Sequence, residues 1–499
     1  MSPPRVHITT YGCQMNQLDS ELVAEVLRAS GAHVVADPRA ADVLLYVTCA
    51  VRAHAENRVF SNIGKLAARK RREPHLVVGL LGCMAQEHGL GVRRRAPLVD
   101  LVCAPGRLAE LPALVAAARA GRPAEALDPC RSEAGAAAFA SADAALDEAE
   151  IRRPLGGRAP GSPGRRRGKP GQAYVVAIRG CDNFCSYCVV PYVRGPDRSR
   201  APSAVLEEVR RLVGQGARQV TLLGQAVNQY AADEGGRTWD LADLLARAAE
   251  TPGLARLAFI TNHPKALDER LAGLFRDVPR VCPYLHMPAQ SGSDAVLGRM
   301  NRGYTASEYL DRVAMARALR PDLAVASDFI VGFPGETETD FQATCDLVRR
   351  ARFSGAFVFK YSARPGTAAA RQFPDDVPDA EKRRRNNALL ALVGEITGEE
   401  NRAFVGRTVR VLVEEISPRG RQGGLQERRA SAAAKRGSEF FNPQFAIHNP
   451  QLRGRTPCHR IVVFDGPPPL VGSEVDVEVI GSSPLTLFGR LRGRHAETG

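Results

Sequence analysis

The stretch Tyr174–Gly195, YVVAIRGCDNFCSYCVVPYVRG, runs from a strand-like apolar segment straight into three cysteines, Cys181, Cys185 and Cys188. Their C-x3-C-x2-C spacing lets three thiolates hold three corners of a cubane iron–sulfur cluster and leaves the fourth iron without a protein ligand. An open iron is a chemical site rather than a purely structural one. Zinc is the bland alternative, but a structural zinc site wants a fourth Cys or His close by, and VVPYVRG offers neither.

The segments on the C-terminal side of the triad set the fold. From Ala173 to about Glu399, strand-like runs (YVVAIRG, QVTLLG, RLAFIT, YLHMPA, AVASDFIVGF and AFVFKYS) alternate with helical segments such as Ser203–Gln215 and Ala306–Leu319. About six β/α units predict a parallel, partial (β/α)6 barrel with its chemistry at the strand C-termini. The triad comes directly after the first of those strands. Polar residues after the others, Gly224 and Gln225, Asn262 and His263, His286, and Asp328 with Gly332 through Glu336, are expected to face the same mouth. Glycines allow close backbone approach there, and amide and carboxylate groups suit an amino acid or a ribose.

Residues 1–120 alternate on a shorter period. Strands are expected at Arg5–Thr10, Val43–Thr48 and His75–Leu81, and helices at Gln17–Ser30, His54–Arg71 and Leu108–Ala120, which together make a small parallel α/β domain. Three more cysteines, Cys13, Cys49 and Cys83, each come after one of these strands, with 35 and 33 residues between them. Ligands of open sheets gather at strand C-termini, so one sheet edge can bring all three together. A lone buried cysteine is ordinary core; three in one relation to three strands predict a second iron–sulfur site. Cys103, Cys130, Cys282, Cys345 and Cys458 lack that placement and read as core or incidental.

Residues 121–172 change texture to Ala, Pro, Gly and Arg and read as a mobile linker. Its Arg165, Arg166, Arg167 and Lys169 suit either solvent or RNA phosphates. Residues 400–495 read as short strands with Gly/Pro turns, a small β-barrel of the sort that handles RNA, interrupted by a basic insertion at about 418–452. The net charge of +14 fits a polyanionic partner but fits an Arg-rich genome equally well. Eleven cysteines without a secretory leader argue for metal ligation in a reducing, cytoplasmic compartment, and no apolar run is long enough to span a membrane.

C-x3-C-x-aromatic-C, with Tyr187 in the aromatic place, resembles the signature of the radical S-adenosylmethionine (SAM) enzymes. Most of the chain further resembles the methylthiotransferases among them. Several stretches look like the MiaB-type branch that modifies tRNA adenosine: TYGCQMNQLDSE, TCAVRAHAENRVF, VTLLGQAVNQY, HMPAQSGSDAVLGRMNRGYT and DFIVGFPGETETDF. The resemblance implies an N-terminal cluster domain, a radical SAM barrel and a C-terminal TRAM domain. It implies two 4Fe-4S clusters, one held by Cys13, Cys49 and Cys83 and the other, which cleaves SAM, by Cys181, Cys185 and Cys188, with Tyr187, Gly224 and Gln225 near SAM. It also implies a tRNA anticodon loop as substrate, an electron donor, a sulfur source and a monomer. The expected product carries a methylthio group on C2 of N6-dimethylallyladenosine at position 37. Val47 and Ala226 stand where that family carries Asn. Two other readings of the same residues stay open at this point: a methylthiotransferase for threonylcarbamoyladenosine or a ribosomal protein, and an RNA-binding protein with two structural metal knots.

Overall fold

The computed structural model of the chain describes residues 2–50, 53–128, 143–150, 152–153, 170–417 and 450–492. Its N-terminal part is a six-stranded parallel sheet of β1 (Arg5–Thr10), β2 (His33–Val34), β3 (Val43–Thr48), β4 (Val77–Gly82), β5 (Leu101–Cys103) and β6 (Ala124–Ala126), in the order β2-β1-β3-β4-β5-β6. Every residue of β3 and β4 is buried, as central parallel strands covered on both faces require. Helix α1 (Gln14–Ala29) and the helix Leu111–Arg119 cover one face through Leu18, Leu22, Leu111 and Val115. Val59 and Ile63, from the helix Ala53–Gly64, cover the other. The single helix expected over His54–Arg71 is two, Ala53–Gly64 and Ala67–Arg72. The strands β2, β5 and β6 have two or three residues each, too short for period-2 alternation to register in the sequence.

The expected linker, 121–172, is more structured than its composition implies. Its residues 124–126 are the edge strand β6, and residues 143–150 form helix α2, whose Leu146 and Ala149 join the N-terminal core. The four basic residues Arg165, Arg166, Arg167 and Lys169 lie outside the described residues.

The central part has six parallel strands in sequence order: β7 (Gln172–Val176), β8 (Gln219–Leu223), β9 (Arg256–Phe259), β10 (Tyr284–His286), β11 (Ala324–Val331) and β12 (Gly355–Lys360). They form two three-stranded halves, β9-β8-β7 and β10-β11-β12, joined through a parallel bridge between Leu257 and Val281. No pairing closes β7 onto β12 among the described residues, so the barrel is partial. Its helices, including Pro202–Gly214 and Ala306–Leu319, pack Val205, Val209, Tyr309 and Val313 onto the strands.

A closed five-stranded barrel ends the chain: β13 (Thr408–Ile416), β14 (Gln451–Arg455), β15 (Ile461–Asp465), β16 (Glu474–Ser483) and β17 (Thr486–Leu491), in the order β13-β14-β15-β17-β16. Strand β14 begins inside the insertion expected at about 418–452, of which residues 418–449 lie outside the described residues. Its QLRGR sequence has one apolar residue, Leu452, so no alternation announces it. A Cβ on Gly454 would stand 2.3 Å from Leu412 O, so the glycine serves close strand approach rather than a turn. The small barrel docks on the strand N-termini of the central one. Arg256, opening β9, donates to Arg455 O and Arg410 O and pairs with Glu474 at 2.6 Å, while Gln172, opening β7, donates to Glu414 at 2.9 Å. Tyr284, opening β10, stacks on His459 with ring centroids 4.0 Å apart.

Candidate functional site

At the opposite end of the central barrel, the chain leaves β7 and turns at Gly180, where φ is +78° and a Cβ would lie 1.8 Å from Pro196 O. Only glycine permits that fold-back. It lets Cys181 N donate to Gly195 O at 3.1 Å and closes the cysteine loop on itself, while Cys188 N donates to Cys185 O at 2.9 Å. Cys181, Cys185 and Cys188 lie close enough to perturb one another electrostatically, and burial pushes the Cys181 and Cys188 thiols up. Asn183 Nδ2 sits 3.3 Å from Cys181 Sγ, held by reciprocal amide bonds to Gln229.

The loop rests on the segment after the helix Asp294–Arg299. Ser186 bonds to Met300 O and Arg299 O, and Asn301 Nδ2 donates to Phe184 O. Arg302, 5% exposed, donates to Cys185 Sγ at 3.2 Å, to Pro288 O at 2.8 Å and to Tyr304 Oη at 2.9 Å. Sequence reasoning assigned Arg302 no role. An arginine in a Gly-containing turn reads as solvent-facing until tertiary structure buries it.

Of the other expected residues, Tyr187 packs against Val296, Met300, Phe333 and Tyr361, and burial pushes its hydroxyl well up. Gly224 is explained by packing, since a Cβ there would meet Ile178 Cγ2 at 2.4 Å. Gln225 Oε1 and Asn262 Oδ1 are buried acceptors with no hydrogen-bond partner among the described residues, and both lie at strand C-termini of the mouth. His263 beside them is held down to about 3 by burial, so its imidazole is neutral. His286 Nδ1 accepts from Thr261 N at 3.3 Å, which leaves Nε2 to face Asp328 at 3.5 Å. The Gly332–Glu336 turn departs from expectation. Glu336 accepts from Gly332 N and pairs with Arg385 at 2.8 Å, and a Cβ on Gly332 would meet Lys382, so this turn serves the helix Asp379–Arg402 rather than the mouth.

The N-terminal cysteines converge as their strand positions predict. Cys13 caps α1 after β1, Cys49 comes directly after β3, and Cys83 opens the helix Cys83–His88 after β4, at the C-terminal ends of three adjacent strands. A hydrogen bond from Cys49 pulls the Cys13 thiol down to about 6, and burial pushes Cys83 up. Gly12 and Gly82, at φ +130° and +90°, allow the approach: a Cβ on either would lie 2.6 Å from Cys49 Cβ or from Thr48 O, respectively. Asn16, fully buried, joins the strand ends by donating to Thr48 O at 2.9 Å while its Oδ1 accepts from Cys13 N at 3.3 Å. Val47 and Ala226, which stand in place of Asn, are buried.

One short segment connects the two triads. Immediately after Cys188, Val189 and Val193 pack with Ala50 and Cys83. Arg194 then places Nε 3.1 Å from Cys83 Sγ and Nη2 2.6 Å from Asp19 on α1. Among the described residues, no three His, Cys, Asp or Glu side chains could hold a single metal ion. A cubane makes a different demand, because each thiolate binds its own iron. Two all-thiol triads, one with nitrogen donors on two sulfurs and the other with one on Cys83, fit that chemistry, and Gln225 Oε1 and Asn262 Oδ1, unpartnered among the described residues, fit a ligand carrying amine or hydroxyl donors.

Residues 5–104 match the model described as Uncharacterized protein family UPF0004, and residues 175–348 match that of the Radical SAM superfamily. The tRNA-2-methylthio-N(6)-dimethylallyladenosine synthase of Rhodopirellula baltica is 42% identical over 98% of this chain and 95% of its own. That of Syntrophotalea carbinolica is 40% identical over 95% and 96%. Among solved structures, the radical SAM methyltransferase TsrM from Kitasatospora setae superposes with a TM-score of 0.48 at 14% identity, covering 74% of this chain and 77% of that one. With both family models matched in order and whole-length relatives at this identity, the chain belongs to the tRNA-2-methylthio-N(6)-dimethylallyladenosine synthase family of radical SAM proteins.

Proposed function

We propose that this protein transfers a methylthio group to C2 of N6-dimethylallyladenosine at position 37 of tRNA. The observation that carries the reading is the placement of two cysteine triads on either side of the Val189–Arg194 segment, in a chain whose relatives of that name match it end to end. Cys181, Cys185 and Cys188 would hold the SAM-binding 4Fe-4S cluster, and Cys13, Cys49 and Cys83 the second one. When bound, the clusters and SAM supply the one-electron and sulfur chemistry that an unreactive C–H bond requires and that no side chain offers.

The chain's own residues orient and enclose. Tyr187 would line the SAM site through its loop, and the Gly224–Gln225 turn would present Gln225 Oε1 to a donor of that ligand, an acceptor otherwise buried at a cost. His263, kept neutral by burial, adds no positive charge to the mouth at physiological pH. Arg302 and the Asn183–Gln229 pair hold the loop through the sulfurs of Cys185 and Cys181.

Size supports a macromolecular substrate. The small barrel docks at the strand N-termini and the triads lie beyond the C-termini, and five residues of β7 alone span about 17 Å. A molecule that touches both must be large, as an anticodon stem-loop is. Several arginines of the small barrel, Arg410, Arg453, Arg455 and Arg492, are paired with neighbouring carboxylates, so the RNA contacts there would rest on shape as well as charge. The reading includes an external electron donor and a sulfur source. No helix among the described residues is long and apolar enough to cross a membrane.

The test is mass spectrometry of tRNA nucleosides. A strain lacking this chain should lose methylthio-adenosine and regain it with the wild-type protein. Cys13→Ala should abolish methylthiolation while 5′-deoxyadenosine still forms from SAM, and Cys181→Ala should abolish both. Unchanged methylthio-adenosine in the deletion strain would sink the substrate, and full activity of Cys13→Ala would sink the two-cluster account.

A further inference from the structure

Resting on that two-cluster reading, we infer that Arg194 is a positioning residue for the second cluster: the SAM-cluster loop delivers it to tune the Cys83 sulfur. Three observations meet at this side chain. It lies six positions after Cys188 yet leaves its own loop to place Nε 3.1 Å from Cys83 Sγ. Asp19, 6% exposed at its side chain, takes Nη2 at 2.6 Å and so fixes the plane of the guanidinium. Val189 and Val193 pack on Ala50 and Cys83, which holds the segment between Cys188 and Arg194 against the first domain.

Ordinary domain packing does not explain an N–H aimed at a sulfur. A guanidinium needing only charge balance would be satisfied by Asp19, and a domain tie would need no contact with a candidate ligand. The contact also has a counterpart. Arg302 donates to Cys185 Sγ at 3.2 Å in the other triad, so each set of thiols carries one arginine, buried in the case of Arg302 and half-buried in that of Arg194. Hydrogen bonds to cluster sulfurs and nearby positive charge stabilise the reduced, more negative cluster and raise its potential. Arginine stays protonated under all working conditions, so the bias is constant. The origins of the two arginines differ. Arg302 comes from the same barrel as the thiol it serves, whereas Arg194 crosses from one domain to the other. The potential of the second cluster is thereby tied to the correct seating of the SAM-cluster loop.

Single-cluster proteins test this. Full-length protein with Cys181, Cys185 and Cys188 all changed to Ala retains only the second triad, and the protein with Cys13, Cys49 and Cys83 changed to Ala retains only the first. Each is reconstituted with iron and sulfide, its iron counted, and its midpoint potential measured by EPR-monitored titration. Arg194→Gln should shift the second cluster to a more negative potential and leave the first unchanged. Arg302→Gln should do the reverse, and Arg194→Lys, which keeps the charge, should shift less than Arg194→Gln. Unchanged potentials, equal shifts at both clusters, or loss of iron in both Arg194 variants would reduce Arg194 to a structural tie and overturn the inference. If the protein lacking Cys181, Cys185 and Cys188 takes up no iron at all, the two-cluster reading itself has failed.

Discussion

At the scale of the residue, Asn16 ties together the backbone around the Cys13/Cys49/Cys83 triad. It is fully buried, and its amide spans the ends of two strands, satisfying Thr48 O and Cys13 N together. Removing it takes a hydrogen-bond partner from Thr48 O, which is buried, and from Cys13 N, which is half-buried. Asn16→Ala should therefore cost about 1–3 kcal/mol in urea unfolding. It should also lower iron uptake by the Cys13/Cys49/Cys83 triad in the protein that lacks Cys181, Cys185 and Cys188, with uptake by the other triad unchanged.

At the scale of the element, helix α2 and the residues just after it join the first domain to the barrel through buried charge. Arg153, 2% exposed, pairs with Glu21 of α1 and, at 2.9 Å, with Glu208 of the helix Pro202–Gly214. Arg200 takes the other oxygen of Glu208 at 2.7 Å and also Glu150 at 2.9 Å, and Arg179 pairs with Asp147 and Glu150. Breaking a buried pair strands the partner charge, which costs far more than the pair contributes. Arg153→Ala should destabilise the protein by about 3–5 kcal/mol, read as a lower urea midpoint. Arg152→Ala, whose partner Glu148 is exposed, should change the unfolding free energy by less than about 0.5 kcal/mol.

At the scale of the whole molecule, the proposed two-cluster reaction requires the two triads to stay in register. Glu56, on the helix Ala53–Gly64, contacts His88 and Arg95 of its own domain and reaches Arg364, beyond β12, at 3.2 Å. These partners hold its carboxyl below the usual range, His88 most strongly, so it is ionised at neutral pH. Glu56→Gln weakens this cross-domain tie without touching a cysteine. We expect SAM cleavage near the wild-type rate and methylthio-adenosine formation reduced by about tenfold or more, because small misplacements cost orders of magnitude in a positioned reaction. Parallel assays of 5′-deoxyadenosine and modified tRNA check this, and equal loss of both products would count against it.

The sequence by itself determined the alternation that makes both α/β parts and the placement of six cysteines. Apolar runs of five to eight residues and cysteines directly after them are local features, and parallel topology then brings strand C-termini together. It did not determine the ordered part of the expected linker. The residues of α2 look like low-complexity Ala, Asp and Glu until Arg179 and Arg200 pair with its Asp147 and Glu150. Strand β14 was hidden because a closed barrel supplies its pairing from both sides and asks for one inward Leu452 and one small Gly454. Tertiary structure alone decided the roles of Arg194, Arg302 and Asn16, and that the Gly332–Glu336 turn serves a helix instead of the mouth. Periodicity reports which face of an element is buried. It carries no information about which buried partner a polar side chain meets, because that partner lies tens or hundreds of residues away in the chain.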